Sequence, residues 1–392
     1  MSNPCRAGRP LFRKQGDKIV KDNPLKQLGT IGQSIWLDYI RRDLIASGGL
    51  RRLIEQDGLR GMTSNPAIFE KAMADSHDYD EGIRAMALKG RDAAAIYETL
   101  SQRDVQSAAD EFRPLYERTD GKDGYVSLEV NPHLAHDTNG TTEEAHRLWA
   151  ALNRSNVFIK VPATTEGLPA IRQLISEGIN VNVTLLFGLP RYRQVVEAYI
   201  AGIEARAARG QLVNHVASVA SFFVSRIDAL VDPLLEQLLS RGGEEAELAK
   251  RVHGQAAIAS AKIAYQIYKE IFASDRFRKL AAQGARVQRL LWASTGTKNP
   301  DYSDVKYVEA LIGPDTINTA PLETLDAYRD HGEPKARLEQ EVKEAHWVLR
   351  RLPELGISLD DVTRQLEDEG VEKFNKPFDK LMETLAQGSP RH

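Results

Sequence analysis

Lys160 stands in the middle of residues 157–163, a run of β-branched and aromatic residues that otherwise predicts a buried strand. Such runs are typical of parallel sheets in which both faces of the strand are covered. Burial weakens the preference of a lysine for its ammonium form, and enzymes use this effect to obtain a free amine that attacks a carbonyl group. Besides a Schiff-base lysine, two other interpretations stay open: a lysine at an exposed strand edge, or one whose stem lies along apolar surface while its charge reaches solvent.

Two carboxylates share the predicted placement of this lysine. Because side chains alternate across a strand, Asp38, Glu129 and Lys160 fall opposite the aliphatic faces of their strands, near the C-terminal ends. Catalytic groups of parallel barrels occupy such ends. A single aspartate there more often caps the next helix, but several inward charges without a partner or a task would be costly. Polar residues at equivalent positions are Asn182, Thr184 and Ser221.

A lysine beside two carboxyl groups predicts carbonyl chemistry. An amine that attacks a ketone needs proton transfer twice, once to expel water and once to cleave or form the neighbouring carbon–carbon bond, and two carboxyl groups can divide these steps. The resulting Schiff base stabilises a carbanion as an enamine. This set of residues is therefore typical of a class I aldolase or a related transferase.

Cationic residues in two later loops predict an anion site. Arg226 follows the sixth predicted strand, and Ser294 and Lys298 lie in the turn after the seventh. Arginine offers a phosphate a planar fork and lysine a point charge, and barrel phosphate sites commonly use loops late in the chain. Taken singly, each of these residues is better explained as a solvated surface residue.

Several other functional classes are disfavoured. The chain has 392 residues and a formal net charge of -3, so it lacks the basic footprint that nucleic-acid binding needs. His133, His136 and Asp137 do not have the spacing of a metal site, and we expect neither a metal nor another cofactor. The single Cys5, with no signal-peptide pattern and no long apolar span, predicts a cytoplasmic protein without membrane contact.

Short apolar runs separated by helical patterns must position these residues, and this order predicts parallel β-α-β units. Residues 1–22 are polar and aperiodic, and we expect a disordered lead. Over residues 23–392, the number of strands and the lack of a nucleotide-binding glycine pattern favour a single α/β domain, a (β/α)8 TIM barrel, over an open doubly wound sheet. The predicted strands are residues 34–38, 61–65, 125–130, 157–163, 181–187, 215–224, 290–294 and 316–320.

Capping patterns predict where several helices begin. Thr141 opens a capping-box pattern, and Asn65 followed by Pro66 predicts an N-cap with proline at the first helical position. From about residue 334 the chain predicts two or three amphipathic helices, one of which is capped by Ser358. We expect these helices to pack against the barrel or to cover its mouth.

Six segments give this chain a resemblance to the transaldolase family. They occur in the family's order, and the resemblance extends from about residue 25 to the C-terminus, with segment lengths like those of the longer bacterial members. The segments are SIWLD at 34–38, TSNP at 63–66, SLEV at 127–130, FIKVPAT at 158–164, NVTLLF at 182–187 and SFFVSR at 221–226.

The resemblance implies sugar phosphate substrates. It implies transfer of a dihydroxyacetone unit from sedoheptulose 7-phosphate or fructose 6-phosphate to glyceraldehyde 3-phosphate or erythrose 4-phosphate, a step of the pentose phosphate pathway. By the family's pattern Lys160 forms the Schiff base and Asp38 handles the proton of carbon–carbon cleavage, while Glu129 and Thr184 manage the catalytic water. The implied substrate contacts are Asn65, Asn182 and Ser221 for the hydroxyls and Arg226 for the phosphate.

One departure and two alternatives qualify this resemblance. Many members carry an arginine soon after the seventh strand, whereas this chain has a longer turn in which Ser294 and Lys298 are the candidates for a second phosphate contact. Fructose 6-phosphate aldolases are shorter and carry Gln and Tyr where this chain has Glu129 and Phe223, and both positions favour transfer. A catalytically inactive barrel that serves as a binding module would have lost the lysine or a carboxylate. Monomer and homodimer stay equally open.

Overall fold

The computed structural model describes residues 23–74 and 76–387, and the lead expected over residues 1–22 lies outside the described residues. The described chain forms a closed barrel of parallel strands that neighbour one another in chain order, which confirms the (β/α)8 fold. The strands are β1 Gln33–Asp38, β2 Gly61–Thr63, β3 Tyr125–Glu129, β4 Val157–Pro162, β5 Val181–Leu186, β6 Ser218–Phe223, β7 Arg289–Ala293 and β8 Thr316–Ala320.

Helices connect the strands and form the outer layer of the barrel. They are α1 Pro24–Ile31, α2 Arg42–Ala46, α3 Gly49–Arg52, α4 Pro66–Ala74, α5 Asp80–Ala87, α6 Ala93–Arg118, α7 Thr138–Leu152, α8 Gly167–Glu177, α9 Leu189–Ala208, α10 Ser225–Leu239, α11 Gly243–Val252, α12 Ala256–Phe272, α13 Asp275–Ala281, α14 Lys306–Ala310, α15 Leu322–His331, α16 Val342–Arg351 and α17 Leu359–Ala386. A π-helical turn, Leu53–Asp57, continues α3, and single 3-10 turns are His77–Tyr79, Pro132–Leu134 and Pro353–Leu355.

All of the predicted strands are found, and only their ends differ from the prediction. β2 ends at Thr63 because Asn65 already caps α4: its Oδ1 accepts a 3.0 Å hydrogen bond from the backbone N–H of Ile68. This confirms the predicted N-cap. β6 begins at Ser218 rather than at residue 215, because residues 214 and 215 form a turn.

The alternation of side chains holds on the strands that carry the predicted site. Glu129 lies beside Lys160 in the β3–β4 register, and Lys160 lies beside Asn182 in the β4–β5 register. The alternation fails at Leu185, which has a φ of 53° and accompanies a shift in the β5–β6 register. Its side chain packs against Gly370 of α17. The bulge therefore turns the end of β5 toward the C-terminal helix.

Aromatic rings fill the barrel below the layer of Lys160. Phe158 stacks on Tyr125 with a ring-centroid distance of 4.3 Å and on Trp36 with a distance of 6.2 Å. Gly61 makes room for this layer, because a Cβ at that position would lie 2.4 Å from the Trp36 ring. The charged layer thus rests on a packed, apolar one.

One predicted helix start is wrong. The N-cap of α7 is Asp137 and not Thr141. Thr141 lies inside the helix and donates to the carbonyl of Leu134 at 2.8 Å, while Glu144 accepts from the backbone N–H of Asn131 at 2.9 Å and so does not close a capping box. Aspartate caps at least as well as threonine, so the earlier residue begins the helix.

The C-terminal helices occur as expected. Ser358 caps α17, since its Oγ accepts from the backbone N–H of Asp361 at 3.3 Å. α17 packs against α4, α6 and α10, and it places Phe374 at the C-terminal mouth of the barrel. Across residues 23–74 and 76–387, no helix is long and apolar enough to span a membrane.

Candidate active site

A cavity of about 370 Å³ opens at the C-terminal end of the barrel. We call it the substrate cavity. Two of the predicted site residues, Glu129 and Asn182, are not in its wall but contact wall residues from behind, Glu129 through Lys160 and Asn182 through Ser221. The predicted residues that line it are Asp38, Asn65, Lys160, Thr184, Ser221, Phe223, Arg226, Ser294 and Lys298.

Lys160 is buried, with 4% of its surface exposed, which excludes the interpretation as an exposed edge lysine. Its Nζ donates a 2.9 Å hydrogen bond to the carbonyl of Ser64 and lies 3.3 Å from Oε2 of Glu129. The ring of Phe374 lies 5.9 Å from Nζ. Among the described residues, Lys160 Nζ therefore has two oxygen neighbours, whereas an ammonium group has three N–H donors. The third position on the nitrogen is left for a substrate carbonyl carbon.

The Glu129 carboxyl group is poised to exchange a proton near neutral pH. Burial raises the pKa of Glu129 to about 7; the positive charge of Lys160 opposes this rise, and the negative charge of Asp38 adds to it. Both protonation states are therefore populated at neutral pH, which is the condition under which one group can act first as an acid and later as a base.

Asp38 lies at the end of β1 on the other side of the substrate cavity. The Oγ1 atom of Thr63 donates a 2.7 Å hydrogen bond to Asp38 Oδ1, and the same hydroxyl lies 2.7 Å from Oγ1 of Thr319. Burial raises the pKa of Asp38, although Lys160 and Thr63 oppose the rise. The register of β1 with β2 and β8 thus fixes the orientation of this carboxyl group.

A row of polar side chains runs from β6 across β5 to β3. The Oγ of Ser221 donates to Oδ1 of Asn182 at 2.6 Å, and Nδ2 of Asn182 donates to Oγ of Ser127 at 3.1 Å. The hydroxyl of Thr184, also on β5, is buried without a partner among residues 23–74 and 76–387. Since buried hydroxyl groups are normally paired, this one is suited to hold a substrate or solvent oxygen.

Asn65 fits both of its possible roles at once. Its Oδ1 caps α4 through Ile68, and its side chain also lines the substrate cavity. The cap uses only the oxygen of the amide, and among the described residues Nδ2 makes no hydrogen bond, so it can donate to a substrate hydroxyl.

Part of the cavity wall is cationic. The guanidinium carbon of Arg226 lies 5.3 Å from the Phe223 ring centroid, and its Nη1 is buried without an acceptor in the part of the chain that the structure describes. Loss of hydration and the nearby charge of Arg226 lower the pKa of Lys298. The backbone N–H of Ser225 donates to the carbonyl of Ser294 at 3.0 Å, which fastens the two cationic loops together. Two neighbouring cations in the wall of one cavity indicate an anion site.

The structure also adds residues that the sequence did not single out. Thr63 lies within one of the six family segments, and it pairs with Asp38 in the β1–β2 register. Its position near the end of a predicted strand could have identified it. Phe374 comes from α17; the C-terminal helices were expected to pack against the barrel or to cover its mouth, but no pattern singled out this residue. Further wall residues are Tyr39, Ile68, Lys71, Thr319, Pro321, Leu322 and Glu323.

The histidines near β3 have partners other than a metal. His133 Nε2 lies 2.6 Å from Asp379, and His136 Nδ1 lies 3.1 Å from Glu166. Among the described residues, no group of three His, Cys, Asp or Glu side chains is arranged to hold a metal ion.

Comparison with known proteins agrees with this geometry. Residues 35–385 match the family described as transaldolase/fructose-6-phosphate aldolase. A protein of Trichodesmium erythraeum named transaldolase is 50% identical over 369 residues, which cover 93% of this chain and 97% of the relative. A transaldolase of Saccharopolyspora erythraea is 48% identical over 370 residues, which cover 94% and 98% of the two chains. Another relative, from Nostoc sp., is named transaldolase 2 and is 50% identical over 368 residues. The chain therefore belongs to the transaldolase family.

Proposed function

We propose that this family member transfers a dihydroxyacetone unit from a ketose phosphate to an aldose phosphate through a Schiff base on Lys160. The observation that carries the proposal is the 3.3 Å distance between Lys160 Nζ and Glu129 Oε2 in a buried site. A second carboxyl group, Asp38, lies in the wall of the same cavity. One amine with two carboxyl groups of raised pKa meets the needs of imine chemistry coupled to carbon–carbon cleavage.

Glu129 serves the formation and hydrolysis of the imine. The amine of Lys160 adds to the ketose carbonyl, and Glu129 gives its proton to the hydroxyl group that leaves the carbinolamine as water. With a pKa of about 7, the resulting carboxylate can later take a proton from the water that hydrolyses the imine. The unpaired hydroxyl of Thr184 orients that water.

Asp38 serves the cleavage and formation of the carbon–carbon bond. Its carboxylate takes the proton of the C4 hydroxyl, and the electron pair of the C3–C4 bond moves into the iminium ion to give an enamine. The raised pKa of Asp38 makes it a stronger base than an exposed aspartate. After the enamine attacks the acceptor aldehyde, Asp38 returns the proton to the new hydroxyl group, so the step balances without an outside acid.

The remaining wall residues hold the substrate. Asn65 and Ser221 contact the hydroxyls of the three-carbon unit, and Asn182 acts through its hydrogen bond to Ser221. Arg226 holds the phosphate through a charge-assisted contact. Ser294 and Lys298 provide the second phosphate contact from the β7–α14 loop. The cytoplasmic location and the monomeric or homodimeric state stay predictions.

Phe223 favours transfer over release of dihydroxyacetone. A hydroxyl group at this position of the cavity wall could protonate the enamine, which would end in free dihydroxyacetone, whereas a phenyl ring supplies no proton. Transfer requires the enamine to persist until the acceptor binds. The chain thus differs from the aldolases that carry tyrosine at the matching position.

A two-substrate assay tests this proposal. With fructose 6-phosphate and erythrose 4-phosphate we expect sedoheptulose 7-phosphate and glyceraldehyde 3-phosphate as products. With fructose 6-phosphate alone we expect no sustained release of dihydroxyacetone. Comparable rates in the two reactions would contradict transfer and would support the lyase alternative.

A further inference from the structure

Glu129 faces a second cavity besides the region around Lys160. This cavity has a volume of about 160 Å³ and lies between β3, α6, α7 and α17. We call it the side cavity. Glu129 lines the side cavity but not the substrate cavity. Its other lining residues that matter here are Ala94, Tyr97, Glu144, Arg147 and Phe378.

The side cavity leads from the buried carboxyl group toward the protein surface. The side chain of Glu129 is 6% exposed, that of Glu144 is 18% exposed, and that of Arg147 is 52% exposed. Arg147 Nη2 donates to Glu144 Oε1 at 3.2 Å, which fixes the outer pair. Polar groups therefore line a path whose accessibility increases outward.

Tyr97 lies along this path under an aromatic cover. Burial raises the pKa of the Tyr97 hydroxyl, and the negative charges of Glu129 and Glu144 both add to the rise. Its ring meets Phe378 of α17 edge to face at a centroid distance of 5.5 Å. The hydroxyl group thus lies within electrostatic reach of both carboxylates, while α17 closes the cavity from above.

The proposed reaction produces a water molecule on the side of Glu129. When a neutral carbinolamine loses its C–O bond, the proton of Glu129 joins the departing hydroxyl, the nitrogen lone pair forms the C=N bond, and an iminium ion, a carboxylate and one water result. At that stage the substrate fills the substrate cavity, whose wall includes Phe374. The 160 Å³ of the side cavity exceeds the volume that several ordered waters require.

We propose that the side cavity is the route by which water leaves after imine formation and returns for hydrolysis, with Tyr97 and Glu144 as positioning residues that keep this water hydrogen-bonded. The inference rests on the proposed function, because it needs an imine on Lys160. Glu129 then separates the substrate cavity, where the imine forms, from the side cavity, which holds the water.

Isotope washout tests this inference. Fructose 6-phosphate labelled with ¹⁸O at C2 loses its label on the enzyme when the expelled water escapes before it re-adds. The washout in excess of the enzyme-free rate, divided by the rate of borohydride-trapped imine, therefore measures escape. Ala94 is exposed at the start of α6, and Ala94→Trp would block the opening. The matched control is Thr99→Trp, because Thr99 is exposed on the same helix but outside the cavity.

For Ala94→Trp we expect the washout ratio to fall by about tenfold, the factor given by an added barrier of about 1.4 kcal/mol, with no change for Thr99→Trp. Tyr97→Phe should lower the ratio by a smaller factor without changing the KM for fructose 6-phosphate. If the parent forms no adduct on Lys160, the proposed function fails. If Ala94→Trp forms the adduct and its ratio equals that of the parent, water leaves through the substrate cavity and the inference is overturned.

Discussion

The two ends of this barrel treat buried charge in opposite ways. At the C-terminal end, burial raises the pKa of Asp38 and of Glu129, and the charge of Lys160 opposes both rises. At the N-terminal end, Asp123 alone receives two guanidinium groups: Arg289 Nη1 lies 3.1 Å from Oδ1 and Arg60 Nη1 lies 3.0 Å from Oδ2. The two carboxyl groups at the first end have raised pKa values, whereas the carboxyl group at the second end is paired directly with two cations.

Hydrogen bonds further stabilise the ionised carboxylate at the N-terminal end. Ser34 donates to Asp123 at 2.7 Å, and Arg289 Nη2 donates to Ser34 at 2.7 Å and to the carbonyl of Thr316 at 2.9 Å. Burial alone would raise the pKa of Asp123, but Arg289, Ser34 and Arg60 together lower it. Paired charges of this kind hold strands in place, whereas the carboxyl groups of raised pKa at the other end keep a proton that chemistry can use.

The largest expected effect concerns the two carboxyl groups of the C-terminal end. Asp38→Asn and Glu129→Gln should each reduce kcat on the order of 10²–10⁴-fold, because general acid–base catalysis is lost. Asp38→Asn should still form a trappable imine at the parent's rate, whereas Glu129→Gln should form it slowly. Equal trapping rates in both variants and the parent would contradict the assigned division of steps.

At the N-terminal end, the expected loss is one of stability. Arg289→Met should lower the free energy of unfolding by about 3–5 kcal/mol, since it removes from buried Asp123 the guanidinium group that lowers its pKa most. Chemical denaturation measures this loss, and kcat of the folded fraction should not change. The control is the double variant with Asp123→Leu, which removes both charges and should recover much of the stability. A large loss of kcat in Arg289→Met, at temperatures where the variant is folded, would contradict the assignment of a purely structural role to the N-terminal charges.

The pH dependence of stability should have opposite signs at the two ends. The folded pKa of Glu129, about 7, lies above its ordinary value of 4.5, so the folded state holds a proton that the unfolded state has lost. Unfolding free energy should fall by about 3 kcal/mol from this group as pH rises from about 4.5 to 7. Glu129→Gln should lack that decline.

The matching prediction for Asp123 follows from its lowered pKa. This group stabilises the folded state above its ordinary pKa of 3.8, and the stabilisation disappears as pH falls through the lower folded value. The difference in unfolding free energy between the parent and Asp123→Asn should therefore shrink as the pH falls into the acid range. A difference that instead vanishes at neutral pH would contradict a stabilising role for the ionised carboxylate.

The smallest expected effect is at Arg226 and Lys298, the cationic residues of the substrate cavity. Arg226→Ala should raise KM for phosphorylated sugars about ten- to a hundredfold, because a charge-assisted hydrogen bond contributes roughly 1.5–3 kcal/mol. Lys298→Ala should raise it less, since an ammonium group offers no bidentate contact. Unphosphorylated glyceraldehyde is the control acceptor. An equal loss on both acceptors would show that Arg226 supports the fold and does not hold phosphate.

Strand alternation explains why the placement of the buried lysine and its neighbouring carboxyl group could be predicted. Parallel strands end at one edge and side chains repeat every second residue, so Glu129 and Lys160 had to meet once the strands were identified. The same argument could have identified Arg289, an inward charge at the start of β7. Arg289 was not predicted, because it stands at the N-terminal end of its strand and the candidate residues were sought at the C-terminal ends.

What escaped prediction depends on contacts between distant parts of the chain. The carbonyl of Ser64 as acceptor for Lys160, the ring of Phe374 over the site and the bulge at Leu185 follow from how α17 and the β2–α4 turn pack. No local period encodes these contacts. The side cavity likewise exists only because three helices meet at the end of β3.

The most direct test of the central claim is to trap the imine. Incubation with fructose 6-phosphate and borohydride, followed by peptide mass mapping, should find a reduced three-carbon adduct on Lys160 and on no other lysine. Lys160→Ala should give no adduct and no activity, with denaturation close to that of the parent. An adduct on a different lysine, or activity that survives in Lys160→Ala, would contradict the account.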